Sequence, residues 1–316
     1  MLVHDVWAGG AQADSPIHDV RSFSETMVPP IPLLVESLQD LGLTHARIGA
    51  ELGYEQRMGL APNDFAAIQA AVPHVTWADG ATALWAVRMI KSPAELAYMR
   101  RACEINTAAF DWAFRRMTPA TTEAELASLF HAGIALAGGE FGFMAPAFVP
   151  AAYHTMSRMP GSKRIEPGKL VWNDLGSLYR FYWSDFSRAA VLGKADAAQR
   201  DLWGRVHEIT QAAIGAVRPG CAPVEIVEAC NRAAQRLGIV TNFASGRIGH
   251  GLGLLLTEPP HIAAYDRELL APGMVITIEP GIINDDGIYI VEQNLLVTWN
   301  GAEVLSTGNW EIWEIE

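Results

Sequence analysis

The sequence predicts an α+β protein in two parts, a small α/β layer over residues 1–90 and a larger domain over 91–316 made of two related halves. Three observations carry this. The 316 residues are about twice the ~150-residue domain prior. Strand-like and helix-like stretches alternate through the first ninety residues. One stretch of the C-terminal part can be laid over another at a constant offset. Half of the residues are hydrophobic and 18% are charged, which supports a large buried core and excludes a disordered chain.

In the first part, Leu2–Trp7, His45–Ala50 and Val75–Ala78 read as strands, and Ile31–Leu43 and Asn63–Val72 as helices, with Asn63 as N-cap. The boundary falls near Lys91. There Ser92-Pro93-Ala94-Glu95 sets a capping serine, a proline at the first helical position and a glutamate at N3. A long helix then runs to about Arg116. Thr122-Glu123-Ala124-Glu125 is a second capping box, and Ala197–Val217 and Val224–Leu237 read as further helices. The terminal Asn309–Trp313 run alternates like an edge strand or an oligomer contact.

Pro167-Gly168-Lys169-Leu170-Val171-Trp172-Asn173-Asp174-Leu175-Gly176 aligns with Pro272-Gly273-Met274-Val275-Ile276-Thr277-Ile278-Glu279-Pro280-Gly281 at an offset of 105. Upstream, Pro119, Glu125 and Leu126 match Pro219, Glu225 and Ile226 at an offset of 100. Each half therefore carries helices, a Pro-Gly turn, and a strand ending in an acid. A second acid follows in each, Asp185 after Asp174 and Glu292 after Glu279. Turn residues lie between, so each pair is placed on neighbouring strands of a hairpin-like unit.

Folding the halves about a pseudo-twofold axis would gather four carboxylates in one apolar place. Such anions repel unless protons or cations neutralise them. Oxygen-rich ligation with one imidazole suits Mn²⁺, Co²⁺, Fe²⁺ or Zn²⁺. The imidazole candidate is His250 in Gly249-His250-Gly251-Leu252-Gly253, where flanking glycines permit close backbone approach.

Five segments resemble the metal motifs of the pita-bread metallopeptidases (Xaa-Pro aminopeptidases, prolidases, methionine aminopeptidases and the metal-free creatinase). They are Asn173-Asp174-Leu175-Gly176, Ser184-Asp185-Phe186-Ser187-Arg188, Gly249-His250-Gly251-Leu252-Gly253, Ile278-Glu279-Pro280-Gly281 and Val291-Glu292-Gln293-Asn294. The ligand types follow in order at intervals of 11, 65, 29 and 13 residues. The resemblance covers about residues 88–316 and implies a pita-bread catalytic domain behind a creatinase-type N-terminal domain. It implies two divalent ions, Mn²⁺ first, held by Asp174, Asp185, His250, Glu279 and Glu292, with Glu279 also shuttling a proton. It further implies a homodimer. Such N-terminal domains are usually longer, so a shortened one or a late start is expected.

The pattern departs around the metal motifs. Thr257 stands where the peptidases carry a second histidine, and a hydroxyl cannot act as an imidazolium acid. His261, four residues on, is the substitute if the loop turns back. An upstream histidine falls near Ser157, with His154 as its nearest candidate. An arginine two residues before the last glutamate is Ile290 here. Arg188 reads as orienting Asp185, as binding a substrate carboxylate, or as a plain salt bridge. Trp183 reads as lining a pocket or as core.

These features imply a metal-dependent hydrolase acting on an amide bond in a small molecule or short peptide, first an Xaa-Pro dipeptidase or aminopeptidase. Other readings are a pita-bread enzyme on a non-peptide compound, such as a creatinase-like hydrolase or a dimethylsulfoniopropionate-type lyase, and a non-catalytic binding protein. The net charge of −12 argues against nucleic-acid or anionic-membrane partners. Cys103, Cys221 and Cys230 form no CxxC pair, no 18-residue apolar run occurs, and no secretory signal shows in Met1–Asp14. A cytoplasmic protein is expected.

Overall fold

The structure, a computed structural model, describes residues 1–155, 158–241 and 246–316. They form two compact units, Met1–Trp85 and Ala86–Glu316. The first unit runs β1 (Leu2–His4), α1 (Asp5–Asp14), β2 (Arg21–Phe23), α2 (Ile31–Asp40), β3 (Arg47–Ala50), α3 (Pro62–Ala71) and β4 (Thr76–Asp79), and α4 (Ala81–Arg88) follows. β1 pairs with β2 and β3 with β4, both parallel. Ile68, Val72 and Val75 form its core, flanked by Leu34, Leu38 and Trp77.

Local chemistry corrects two expectations here and adds one helix. The strand predicted over Leu2–Trp7 stops at His4, because the His4 ring accepts from Val6 N and caps a helix. Asn63 is not the N-cap of α3: Pro62 takes the first turn and Ala61 the cap, since proline's missing N–H costs nothing at N1. α4 was unread in the sequence, and its start is fixed by Asp79 Oδ1 accepting from Ala81 N at 2.8 Å.

The second unit opens with α5 (Pro93–Phe114) and α6 (Glu123–Leu136), then β5 (Phe141–Ala147), β6 (Leu170–Tyr179), β7 (Tyr182–Trp183) and β8 (Phe186–Leu192). Its second half has α7 (Ala197–Ile214), α8 (Pro223–Arg236), β9 (His250–Gly251), β10 (Glu258–His261), β11 (Val275–Ile278), β12 (Gly281–Asn284), β13 (Gly287–Ile290), β14 (Gln293–Thr298) and β15 (Gly301–Val304). β16 (Trp313–Ile315) closes the chain. Both capping boxes form, Ser92 with Glu95 and Thr122 with Glu125. α6 and α8 are each 14 residues long and start 100 residues apart, the offset read in the sequence.

Two five-stranded sheets result, one ordered β16-β8-β6-β5 with β7 on β6, the other β10-β9-β11-β14-β15. β12 and β13 make a separate hairpin. The terminal edge strand starts four residues later than the alternation suggested, at Trp313, and runs parallel to β8. α5 is tied to β6 by Asn106 Nδ2 donating to Leu175 O (2.6 Å) and Ser177 Oγ donating to Ala102 O (2.7 Å). Beneath lies an aromatic core of Phe110, Phe114, Phe130, Phe148 and Phe186. Each such side chain contributes about 1.5–3 kcal/mol by burial, so this layer gives the acid-bearing strands a rigid backing. No helix among the described residues is long and apolar enough to cross a membrane.

Candidate metal centre

Asp174 lies inside β6, opposite Ser187 of β8. Asp185 comes immediately before β8, Glu279 immediately after β11, and Glu292 between β13 and β14. His250 begins β9, which pairs with β11 through Gly251 and Ile276. The glycines beside His250 are there because backbone passes very close. A Cβ on Gly249 would stand 2.0 Å from Thr277 O, and one on Gly251 2.2 Å from Pro259 O.

One ligand atom each from Asp185, His250 and Glu292 lies within 4.8 Å of the others. His250 Nε2 is 3.5 Å from Asp185 Oδ2 and 3.9 Å from Glu279 Oε1. The Asp174 carboxyl is within hydrogen-bonding reach of Asp185 and Glu292. Asp185, His250, Glu279 and Glu292 are buried, while Asp174 keeps some exposure.

The electrostatics are those of charge without compensation. Burial, and then the neighbouring acids, push Asp185 and Glu292 well above the usual carboxylate range. Burial also raises Asp174, and it lifts Glu279 to about 8, helped by Asp174. Burial lowers His250 to about 3, so the ring is neutral. Its Nδ1 lies 2.8 Å from Gly251 O; donation there fixes the tautomer and points the Nε2 lone pair at the acids.

Asp174 Oδ1 and Asp185 Oδ1 are buried, and no hydrogen-bond donor among the described residues meets them. Orphaned anionic oxygens beside an imidazole lone pair fit a divalent cation, and a set of oxygens with one nitrogen suits a first-row metal.

The backbones of these acids are held crosswise between the halves. Asn294 Oδ1 accepts from Asp185 N at 2.9 Å, and Asn294 Nδ2 donates to Asp185 O. Ser187 Oγ accepts from Glu292 N at 3.1 Å and donates to Ile290 O at 2.8 Å. Ser187 and Asn294 each sit two residues past an acid of their own half and grip the acid of the other. The sequence reading assigned neither a role. The signal was a polar residue at the same step after each second acid.

Arg188 departs from its proposed contact with substrate. It is buried, and its guanidinium donates to the carbonyls of Ser187 (2.7 Å), Glu292 (3.0 Å) and Asn309 (3.0 Å) and to Gln293 Oε1 (3.2 Å). It therefore fixes the Glu292 backbone and has no face for a ligand. Burial pulls it down to about 10, still cationic at neutral pH.

His154 is exposed, and its Nε2 lies 3.0 Å from Asp285 Oδ1. Its interactions do not include the five central residues. Ser157 lies outside the described residues. Thr257 is half-buried in the segment before β10. That segment is fixed by buried Glu258, which accepts from Leu255 N and pairs with Arg88 and Lys91. His261 is buried in β10, in register with His250. Trp183 is half-buried, with Phe141 edge-on at 6.2 Å.

Arg247 was missed altogether. It is half-buried three residues before His250, and its Nη1 lies 2.7 Å from His261 Nδ1. Its charge reaches Asp185, Glu279 and His250.

The pattern of metallopeptidase family M24 matches residues 97–299. An Xaa-Pro dipeptidase of Pyrococcus furiosus is 36% identical over 226 residues, 70% of this chain and 64% of that protein. The chain thus spans a little under two thirds of that relative's length. A solved prolidase from Pyrococcus furiosus has a TM-score of 0.80 at 28% identity, covering 98% of this chain and 87% of that one. An X-Pro aminopeptidase from Thermotoga maritima has a TM-score of 0.84 at 21% identity, over 99% and 87%; that likeness speaks to the fold.

Proposed function

The chain belongs to metallopeptidase family M24, and on that premise we propose that it is a metal-dependent peptidase cleaving Xaa-Pro bonds in short peptides. The observation that carries the reading is the set of four acids, three of them buried, around one neutral imidazole, with buried carboxylate oxygens that no donor among the described residues meets. The similarity to the Pyrococcus furiosus dipeptidase supports the substrate class.

In this reading Asp174, Asp185, His250, Glu279 and Glu292 hold two divalent ions, Mn²⁺ first and Co²⁺, Fe²⁺ or Zn²⁺ as alternatives. Bound ions would supply an activated water at neutral pH and polarise the scissile carbonyl. The protein's own part is proton handling and positioning. An Xaa-Pro bond has a nitrogen without hydrogen, so its departure as an amine requires a proton. Glu279 accepts that proton from the attacking water and delivers it to the proline nitrogen, as base and then acid. Burial raises its carboxyl to about 8 in the metal-free protein, and bound cations would lower it from there. Thr257 offers one hydrogen-bond donor to the carbonyl oxygen in place of an imidazole. A homodimer belongs to the same reading and is checked by sedimentation.

The test is a panel of Xaa-Pro dipeptides offered to the Mn²⁺-reconstituted protein. Release of free proline is expected. A metal-loaded protein that cleaves no member of the panel would contradict the peptidase reading and favour a non-peptide substrate.

A further inference from the structure

Asp185 and Glu292 are the second acids of their halves, and each is gripped at its peptide group by a buried side chain. Asn294 meets both Asp185 N and Asp185 O. Arg188 donates to Glu292 O at 3.0 Å. Both of these holders lean on the segment that follows β15.

β14 and β15 pair as far as Leu295 opposite Val304. One step further on, a regular hydrogen-bonded pair would exchange two backbone bonds between Asn294 and Leu305. Leu305 N gives one of them, to Asn294 O at 2.8 Å. The other passes to a side chain, with Asn294 N donating to Ser306 Oγ at 3.0 Å. A hydroxyl that accepts still has a proton to give, and Ser306 gives it to Gln293 Oε1. That same oxygen accepts from Arg188 Nη2 at 3.2 Å. Arginine has donors only, so the Gln293 amide cannot turn over without losing both bonds. Arg188, Gln293, Asn294 and Ser306 are all buried, where a partner left unmet costs its desolvation.

We propose that Ser306 is a positioning residue of the metal centre, its one hydroxyl joining the holder of Asp185 to the holder of Glu292. Through Asn294 N it fixes the residue whose amide grips Asp185. Through Gln293 it fixes the guanidinium that caps Glu292 O. Groups that orient metal ligands govern affinity although they never touch the ion. Loss of this hydroxyl therefore loosens one ligand of each half at once. The segment is itself pinned from outside the centre. Thr107 Oγ1 of α5 donates to Thr307 O at 2.9 Å, and Trp203 Nε1 of α7 to Trp310 O at 2.8 Å. The proposal rests on the divalent centre proposed above and is indifferent to the substrate.

The full chain, stripped with chelator, is titrated with Mn²⁺, and the six-line paramagnetic resonance signal reports the ion left free. Ser306→Ala should weaken Mn²⁺ binding by about 3–10-fold, less than the 10–100-fold usual for a partner that touches a ligand directly. Thr107→Val is the control. It frees the neighbouring carbonyl of the same segment without touching Gln293 or Asn294, and should leave Mn²⁺ affinity within about twofold. In the Asn294→Ala background, Ser306→Ala should cost less than it does alone, because one of its two routes is already gone.

Wild-type affinity in Ser306→Ala overturns the proposal. So does an equal loss in Thr107→Val, or full additivity in the double variant, since either assigns the residue to general packing. If the alanine variant does not fold, Ser306→Cys decides, because a thiol is a weak donor and a weak acceptor. Weakened binding there supports the proposal, and wild-type affinity overturns it. Failure of the metal reading looks different: the wild type itself then takes up no Mn²⁺, and the proposal falls with it.

Discussion

In the first half of the larger unit Asp174 sits within the unbroken β6, ten residues long. Its counterpart Glu279 comes where the ladder stops, because Pro280 separates β11 from β12 and cannot donate a strand hydrogen bond. Asp185 and Glu292 are alike in standing immediately before β8 and β14. The halves thus share a skeleton while the second is interrupted and supplies more varied chemistry: His250, Glu279, Thr257, His261 and Arg247. In the proposed reading the regular strand holds a ligand, and the broken one holds a group that must also exchange a proton.

That contrast is open to direct attack. Glu279→Gln should cut turnover of any Xaa-Pro substrate roughly 10³-fold with the fold intact by circular dichroism, within the usual range for losing a general acid–base group. Retained turnover would remove the functional distinction between the halves.

Next in size is a pH effect on the metal-free protein. Glu279 is raised from 4.5 to about 8, so the folded state holds its proton longer than the unfolded chain. The stability it contributes is complete below pH ~4.5 and lost as pH rises to about 8. His250, lowered from 6.5 to about 3, works oppositely, but its penalty has faded above pH ~6.5. Between pH 6.5 and 8 the acid dominates, and thermal melts in chelator should show stability falling by about 2 kcal/mol from Glu279 alone. The Glu279→Gln variant should flatten that slope. Metal-loaded protein should not show it, because metal binding displaces the protons.

The crosswise grips give a smaller and asymmetric pair of effects. Asn294→Ala leaves both Asp185 N and Asp185 O without that partner and should weaken metal affinity by about 10–100-fold. Ser187→Ala should weaken it less, by under about tenfold. It strips the contact from Glu292 N, but Ile290 O keeps the Trp172 indole donor at 3.1 Å. Equal losses would mean that the two grips are interchangeable.

Much of this was legible in the chain. The Pro-Gly turn, the acid at a fixed step after it on or beside a strand, and the 100-residue spacing of α6 and α8 are written as repeated residue types. Only Glu279 stands at the end of its strand, while Asp174 lies within β6. The glycines around His250 were readable because backbone must pass within contact distance of them. Arg247 was not readable, because its place depends on β9 and β10 pairing so that His261 lies beside it. The burial of Arg188 depends equally on a distant carbonyl, Asn309 O, returning with the C-terminal segment. His4 and Ala61 show the same limit on a smaller scale, where one ring nitrogen or one proline resets a helix start.

The central claim is that both halves build one divalent centre, and metal stoichiometry tests it most directly. Chelator-stripped protein, reconstituted with Mn²⁺ and desalted, is measured by plasma mass spectrometry beside Asp185→Asn from the first half and Glu292→Gln from the second. The account predicts two ions per chain in the wild type and a clear loss in each variant. Fewer than one ion per chain in the wild type, or full uptake after either substitution, would contradict it.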